Sequence, residues 1–264
     1  MKVLEFTPVG AADCNVVAWF HKNDQKRKHP AMIICPGGGY GFVSEREAKP
    51  VAEPYFAAGY NTFILYYSVK DQAKDFYPLC QLAATIAHVR RYAEQWCVDE
   101  EKIAVCGFSA GGHLAASLGT LFNEDEFQKV FRRGDSIRPN AMVLCYPVIT
   151  SDEFAHTASI CNVSGSNEGS EKYKWFGLDR HVDEQTPPTF LWHTAEDKIV
   201  PVENSLKMAA ALSKAKIPFE LHIFPYGQHG MSVCTEEVGT SSEYNGRWVQ
   251  FSITWLREIF DLEL

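Results

Sequence analysis

Short runs of apolar, often β-branched residues alternate along this chain with longer segments in which apolar residues recur with a helical period. The strand-like runs are Val16–Phe20, Ala31–Cys35, Thr62–Tyr67, Ile103–Cys106, Ala141–Tyr146, Thr189–His193 and Phe219–Phe224. The helix-like segments are Pro78–Trp96, Ala110–Leu121, Val202–Lys214 and Arg247–Phe260. Most of the strand-like runs are apolar throughout, which is typical of parallel strands covered on both faces. The pattern predicts an α/β fold, with a mostly parallel central sheet and helices on both faces.

Two stretches interrupt this alternation. Phe122–Pro139 is charged, and Ile149–Pro188 contains Ser, Asn and Gly with isolated aromatic residues. Because the second stretch is long for a plain loop, we expect a small cap or insert at about residues 149–188. A chain of 264 residues can bury one large core without added stabilisation from disulfides or metal ions, so residues 1–264 are predicted to form a single domain.

Charge and cysteine content narrow the range of partners. The net charge of −8 would repel phosphate backbones, so nucleic acid is not an expected partner. The sequence contains neither a signal-like N-terminus nor an apolar run of membrane-spanning length, which predicts a cytoplasmic protein without membrane contact. Its eight cysteines include no C-x-x-C pair, so we expect no metal and no other cofactor. A homo-oligomer is compatible with these features.

The strongest chemical signal is the segment Gly107-Phe108-Ser109-Ala110-Gly111, which lies between a strand-like run and a helix-like segment. This is a G-x-S-x-G motif, and its position between a strand and a helix is typical of a nucleophile elbow. The turn is so sharp that side chains two residues before or after Ser109 would collide, which explains both glycines. We therefore predict that Ser109 is a nucleophile with a strained backbone.

A serine hydroxyl needs a base, and the base needs an acid that orients it. Of the nine histidines, His229 is the best candidate because it lies in a Gly-flanked loop after the last predicted strand. His113, which follows the elbow, is interpreted as a helix-packing residue. Asp197 is the predicted acid because it follows the strand Thr189–His193, and Glu196 is its competitor. A carboxylate at the N-terminus of the following helix is the alternative explanation of Asp197.

A second loop carries three consecutive glycines in Pro36-Gly37-Gly38-Gly39-Tyr40, directly after an early strand. Backbone N–H groups without side chains in the way can stabilise an oxyanion, and the N–H of Ala110 would add another donor. A phosphate-binding loop is the alternative, but the G-x-x-x-x-G-K-[ST] spacing is absent, and no acidic residue follows at the distance that a G-x-G-x-x-G dinucleotide site needs for its ribose contact.

Together these motifs resemble those of the α/β-hydrolase esterase/lipase family. The order Ser109, Asp197, His229 along the chain is the α/β-hydrolase order. The nearest likeness is to the small bacterial branch of acetylxylan-esterase-like and feruloyl-esterase-like (BD-FAE-like) carbohydrate esterases, and it spans nearly the whole chain. The resemblance implies a catalytic triad of Ser109, His229 and Asp197. It also implies an oxyanion hole formed by Gly38, Gly39 and Ala110. Pro36 stands where the hormone-sensitive-lipase branch has the His of H-G-G-G, which argues against that branch.

The resemblance implies a serine carboxylesterase that removes acetyl groups from sugars or oligosaccharides, with a small-molecule ester as its partner. Expected substrate contacts are Tyr40, Glu45, Arg46 and Trp175. For three of these positions there is a plainer interpretation, with Glu45 and Arg46 in a solvated helix start, Glu45-Arg46-Glu47, and Trp175 as part of the core of the cap. The alternative functions are a peptidase or amidase of the same fold, a broad short-chain carboxylesterase, and a non-catalytic binding module.

Overall fold

The computed structural model describes residues 1–22, 27–131 and 137–262. Its centre is an eight-stranded sheet in the order β1-β2-β4-β3-β5-β6-β7-β8. Strand β2 runs antiparallel to both of its neighbours, and all other neighbouring strands pair in parallel. The strands are β1 (Lys2–Phe6), β2 (Asn15–Phe20), β3 (His29–Cys35), β4 (Asn61–Tyr66), β5 (Val98–Phe108), β6 (Ala141–Cys145), β7 (Thr189–Thr194) and β8 (Phe219–Phe224). The predicted mostly parallel sheet is confirmed.

Each of the predicted strands is present, but the sequence pattern missed β1. This strand pairs only with β2 at the edge of the sheet, and Lys2, Val3 and Glu5 are exposed. An edge strand that buries so little apolar surface leaves almost no hydrophobic signal in the sequence. Strand β5 also begins at Val98, earlier than predicted, because the polar and partly exposed residues Asp99–Lys102 give this part of the strand no apolar pattern.

The helices are α1 (Lys49–Ala57), α2 (Tyr77–Arg91), α3 (Ala93–Trp96), α4 (Ala110–Leu121), α5 (Asp125–Gln128), α6 (Thr157–Ser164), α7 (Glu171–Trp175), α8 (Glu203–Ala215) and α9 (Glu243–Ile259). The four predicted helices are confirmed, with one divided at Tyr92 into α2 and α3. Helix α9 begins before its predicted start because Ser242 accepts a hydrogen bond from the N–H of Asn245 and caps it. Helix α1 was missed, since Pro50 and Pro54 lie within it and proline usually interrupts helices.

Helices cover both faces of the sheet, as predicted. On one face, α2, α4 and α8 contribute buried residues such as Leu82, Leu118 and Met208 to one hydrophobic core. On the other face, α1 and α9 contribute residues such as Tyr55 and Trp248 to a second core. The sheet is therefore buried on both sides along β3 to β7, which accounts for the uninterrupted apolar runs of these strands.

The two irregular stretches lie outside the sheet. Within residues 149–188 the chain forms α6, α7 and one 3-10 turn at Leu178–Arg180. The charged stretch Phe122–Pro139 contains α5, and residues 132–136 of it lie outside the described residues. No helix in the described ranges is long and apolar enough to span a bilayer.

Parallel strands place their following loops at one edge of the sheet. The glycine loop follows β3, Ser109 follows β5, Asp197 follows β7 and His229 follows β8. The topology thus brings together four segments that are far apart in the sequence.

Candidate active site

Ser109 lies at a strained turn between β5 and α4. Its backbone has φ 53° and ψ −117°, a conformation that residues other than glycine rarely adopt. A Cβ atom at Gly107 would lie 2.2 Å from the carbonyl oxygen of Gly111, and one at Gly111 would lie 2.1 Å from that of Cys35. The predicted strain and the predicted need for small residues on both sides of Ser109 are confirmed.

Ser109, His229 and Asp197 form one hydrogen-bonded chain. The Ser109 Oγ lies 2.9 Å from Nε2 of His229, and Nδ1 of His229 lies 2.6 Å from Oδ2 of Asp197. An ionised carboxylate can only accept, so Nδ1 carries the proton of the neutral imidazole and donates a hydrogen bond to Asp197. In the neutral imidazole, Nε2 is then the acceptor for the Ser109 hydroxyl. The arrangement has the geometry of a nucleophile, a general base and an orienting acid.

Asp197 is held as a charged acceptor by its surroundings. Its Oδ1 accepts the backbone N–H groups of Ile199 and Val200, and its Oδ2 lies 3.3 Å from Nε2 of the fully buried His193. Burial by itself raises the pKa of Asp197, but the hydrogen bonds from His193, His229 and Val200 outweigh it and hold the pKa well below its usual value. No motif in the sequence marks His193 as a site residue, so this contact could not be predicted.

The structure also separates Asp197 from its alternatives. The neighbouring carboxylate of Glu196 is exposed and accepts the N–H of Gly227 instead of contacting His229. Helix α8 begins at Glu203 with Val202 in the capping position, so Asp197 does not cap it. The geometry therefore favours Asp197 as the partner of the imidazole.

The glycine loop presents free N–H groups beside Ser109. Gly38 and Gly39 have φ values of 127° and 64°, in the range that favours glycine, and both line the cavity that contains Ser109. In the described part of the chain, no acceptor is hydrogen-bonded to the N–H of Gly38, Gly39 or Ala110. Such N–H groups can stabilise a developing negative charge on a substrate oxygen.

The cavity at these residues has a volume of about 350 Å³. Phe42 and Ile199, which keep 62% and 55% of their surface exposed, contribute apolar surface to its rim. His156, from the insert, also lines it. Burial lowers the pKa of His156 below its usual value, and the electrostatic interaction with the nearby His229 lowers it further. No spacing or motif in the sequence marks His156 as a site residue, because the insert carries it to the cavity.

Of the four expected substrate contacts, only Arg46 lines the cavity, and its Nη2 donates to the carbonyl of Gly230. The other three expectations require correction. Tyr40 is fully buried with its hydroxyl bonded to His113, because the loop turns this side chain into the core. Glu45 accepts from the Tyr66 hydroxyl outside the cavity. Trp175 packs against other aromatic rings of the insert and α2 region, namely Phe76, Phe176 and His181.

The interpretation of Glu45-Arg46-Glu47 as a solvated helix start is wrong at Glu47. Only 4% of this residue is exposed, and its carboxylate accepts the N–H of Gly37 and the hydroxyl of Tyr146. Both partners are distant in sequence, so charge patterning alone could not find the contact. Glu47 lines the cavity as well.

His113 is packed behind the glycine loop, as interpreted from the sequence. Its Nε2 donates to the carbonyl of Phe176 in the insert, and its Nδ1 accepts the Tyr40 hydroxyl. Burial, partly offset by the hydrogen bond to Phe176, lowers its pKa from the ordinary value of 6.5 to about 4. The imidazole therefore stays neutral at neutral pH.

This buried imidazole predicts acid destabilisation. The unfolded chain protonates His113 near pH 6.5 and the folded chain only near pH 4, so its contribution to stability is complete above 6.5 and is lost as the pH falls towards 4. The loss is expected to be about 3 kcal/mol, and chemical denaturation of the wild type and of His113→Gln between pH 4 and 7 measures it. Parallel pH dependences in the two proteins would contradict the assignment.

No cluster of three or more His, Cys, Asp or Glu side chains that could hold a metal ion occurs within residues 1–22, 27–131 and 137–262.

Known proteins resemble this chain over most of its length. The family model BD-FAE matches residues 19–212. Endo-1,4-beta-xylanase B of Butyrivibrio fibrisolvens is 35% identical over 226 residues, which are 84% of this chain and 35% of that protein. Acetylxylan esterase of Xylanibacter ruminicola is 28% identical over 239 residues, which are 87% of this chain and 45% of that protein. The chain thus spans less than half the length of these two relatives.

Solved structures match over nearly the full length. The acetyl ester-xyloside bifunctional hydrolase of Caldicellulosiruptor lactoaceticus is 36% identical with a TM-score of 0.83, covering 95% of this chain and 89% of that one. A carboxylesterase of Lactobacillus plantarum is 29% identical with a TM-score of 0.87, and the match covers 100% of both chains.

Proposed function

Because this chain belongs to the BD-FAE family and has the α/β-hydrolase fold, we propose that it is a serine carboxylesterase with Ser109 as its nucleophile. The observation that carries the proposal is the hydrogen-bonded chain of Ser109, His229 and Asp197, which opens on a cavity beside unbonded backbone N–H groups. This combination supports acyl transfer, since one group attacks, one accepts the proton and others stabilise the oxyanion.

In this mechanism, Ser109 Oγ attacks the ester carbonyl while Nε2 of His229 takes its proton. The carbonyl oxygen becomes an oxyanion that accepts hydrogen bonds from the N–H groups of Gly38, Gly39 and Ala110. The His229 imidazolium then donates its proton to the leaving alcohol, which leaves an acyl group on Ser109. Water attacks the acyl group while His229 takes its proton, and the imidazolium then returns a proton to Ser109 Oγ as the bond to the acyl group breaks and the carboxylic acid leaves. Asp197 stays ionised throughout, because its hydrogen bonds hold its pKa low.

The proposed substrates are short acyl esters, above all acetyl esters of sugars or oligosaccharides. Relatives named endo-1,4-beta-xylanase B and acetylxylan esterase support a carbohydrate substrate. The cavity of about 350 Å³ suits a small acyl group. Its apolar rim at Phe42 and Ile199 can contact the apolar face of a sugar ring.

A peptidase of the same fold has less support from the cavity. A site for a substrate amine needs an available carboxylate near the nucleophile. Glu47 lines the cavity, but both of its oxygens already accept hydrogen bonds from Gly37 and Tyr146. Arg46 at the same cavity would repel a cationic amine.

A hydrolysis panel tests the proposed function. We expect p-nitrophenyl acetate to be cleaved faster than the butyrate and octanoate esters, because the cavity is small. Acetylated xylo-oligosaccharides should release acetate, which an enzymatic acetate assay measures. A feruloyl ester and an aminoacyl-naphthylamide serve as competing substrates. Preferential cleavage of the naphthylamide would favour the peptidase, and failure of a fluorophosphonate to label the protein would favour a binding module.

A further inference from the structure

A buried carboxylate lies next to the proposed nucleophile without a role in the mechanism above. Glu47 Oε2 accepts the N–H of Gly37 at 2.8 Å, and its Oε1 accepts the Tyr146 hydroxyl at 2.6 Å. Among the described residues, no Lys, Arg or His forms an ion pair with this carboxylate. A carboxylate buried without a cation is costly unless its hydrogen bonds are well formed. Its two hydrogen-bond partners therefore indicate which parts of the site this carboxylate holds in place.

The first partner belongs to the glycine loop. A Cβ atom at Gly37 would lie 2.7 Å from Glu47 Oε2 and 3.1 Å from the Cβ of Ser109, so the carboxylate and the nucleophile flank the same glycine. The Gly37 carbonyl in turn accepts the N–H of Ser44. Both backbone polar groups of Gly37 are thus hydrogen-bonded, which restrains the peptide that leads to Gly38 and Gly39, the glycines that line the cavity.

The second partner contacts the base. The Tyr146 ring lies edge-on to the His229 imidazole, with centroids 5.1 Å apart and an interplanar angle of 70°. Its hydroxyl also accepts the N–H of Ser232, three residues beyond His229. Burial, and next the charge of Glu47, raise the pKa of Tyr146 well above its usual value, so the phenol stays protonated and donates to Glu47.

Arg46, next to Glu47 in the chain, adds direct contacts to the base loop. It donates from Nη2 to the carbonyl of Gly230 at 2.7 Å, and its own carbonyl accepts the Ser232 hydroxyl at 2.5 Å. The turn that contains Glu47 is thus bonded to the loop on the C-terminal side of His229 directly and through Tyr146. The short segment Arg46–Glu47 therefore contacts both the glycine loop and the loop that carries His229.

We propose that Glu47 and Tyr146 form a positioning pair that sets the glycine N–H donors and the His229 imidazole relative to Ser109. This inference rests on the proposed esterase function. Neither side chain takes part in bond making. The pair acts through the Gly37 peptide on one side and through the Ser232 N–H and the imidazole ring on the other. Misplacement of catalytic groups by about 1 Å can lower a rate about 100-fold.

The test uses Glu47→Gln and Tyr146→Phe, which change little volume. In Glu47→Gln, the introduced amide can accept from Gly37 or from Tyr146 but not from both, because its nitrogen is a donor. Tyr146→Phe removes the donor to Glu47 and the acceptor for Ser232. With p-nitrophenyl acetate, we expect each variant to lose about 10-fold to 100-fold in kcat with little change in KM. The double variant should be no slower than the slower single variant, because the pair acts as one unit.

The control is a tyrosine–carboxylate pair on the surface, in which the Tyr77 hydroxyl donates to Asp13 at 3.1 Å. Asp13→Asn and Tyr77→Phe should keep the wild-type kcat. Thermal melting of all variants separates positioning from stability. Melting temperatures that fall while the kcat of folded Glu47→Gln and Tyr146→Phe stays at the wild-type value would overturn the inference. Multiplicative losses in the double variant would also overturn it. An inactive wild type, or an active Ser109→Ala variant, would instead refute the esterase function.

Discussion

Ser109→Ala is expected to lower kcat for p-nitrophenyl acetate by about 10⁴-fold to 10⁶-fold. The variant retains the Cβ atom and the strained turn, so the fold should be unchanged while the attacking oxygen is lost. Residual activity would come from the backbone donors and from binding alone. Steady-state kinetics together with circular dichroism measure both quantities.

The matched control is Ser117→Ala, in the helix that follows Ser109 and similarly buried. This variant should keep its activity and its labelling by a fluorophosphonate, whereas Ser109→Ala should lose both. The double variant Ser109→Ala/His229→Ala should have nearly the same kcat as Ser109→Ala alone, because the base has no proton to accept once the hydroxyl is gone. Undiminished turnover by Ser109→Ala would refute the proposed mechanism.

Asp197→Asn is expected to lower kcat by about 10⁴-fold with the fold retained. The oxygen of the introduced amide can still accept the N–H groups of Ile199 and Val200, which turns its NH₂ group towards His229. That NH₂ group donates to Nδ1, so the proton of the neutral imidazole moves to Nε2. Nε2 then faces Ser109 as a donor and cannot take its proton. Kinetics of p-nitrophenyl acetate hydrolysis measure the loss.

Glu196→Gln is the control for this second variant. The Glu196 carboxylate accepts from Gly227, and an amide oxygen can replace it there, so activity should stay near the wild-type value. A large loss in Glu196→Gln together with an active Asp197→Asn would reverse the assignment of the acid. This pair of variants thus decides between the two carboxylates that the sequence offered.

The helices and strands that could be predicted are those whose own residues show an apolar pattern or a local motif. Strand β6 is apolar along its length, and β3 is apolar from Pro30 onwards, because the sheet is covered on both faces. Helix α4 follows the elbow without interruption. Strand β1 and helix α1 could not be predicted, because one buries little apolar surface and the other contains two prolines. Local propensity was overridden in α1 by packing of Val51 and Tyr55 against the sheet.

The same distinction holds for the candidate site. Ser109 is marked by flanking glycines, and Asp197 and His229 by loops that follow strands, because these constraints act within a few residues. His156, His193 and Glu47 carry no such mark. The sheet brings Glu47 near Tyr146 and the insert carries His156 to the cavity, whereas His193 contacts Asp197 only because the chain turns back at the end of β7. Tyr40 was misassigned because nothing local shows that its ring turns inward.

The sequence by itself therefore determined the fold class, the elbow and the order of the three candidate catalytic residues, since backbone sterics and hydrophobic periodicity are short-range properties. Only the tertiary structure decided which carboxylate orients His229, which N–H groups stay unbonded beside Ser109, and that Glu47 is buried between the glycine loop and Tyr146. The reason is physical. Hydrogen bonding and burial depend on distances between segments, and those distances exist only once parallel strands have brought their loops to one edge of the sheet.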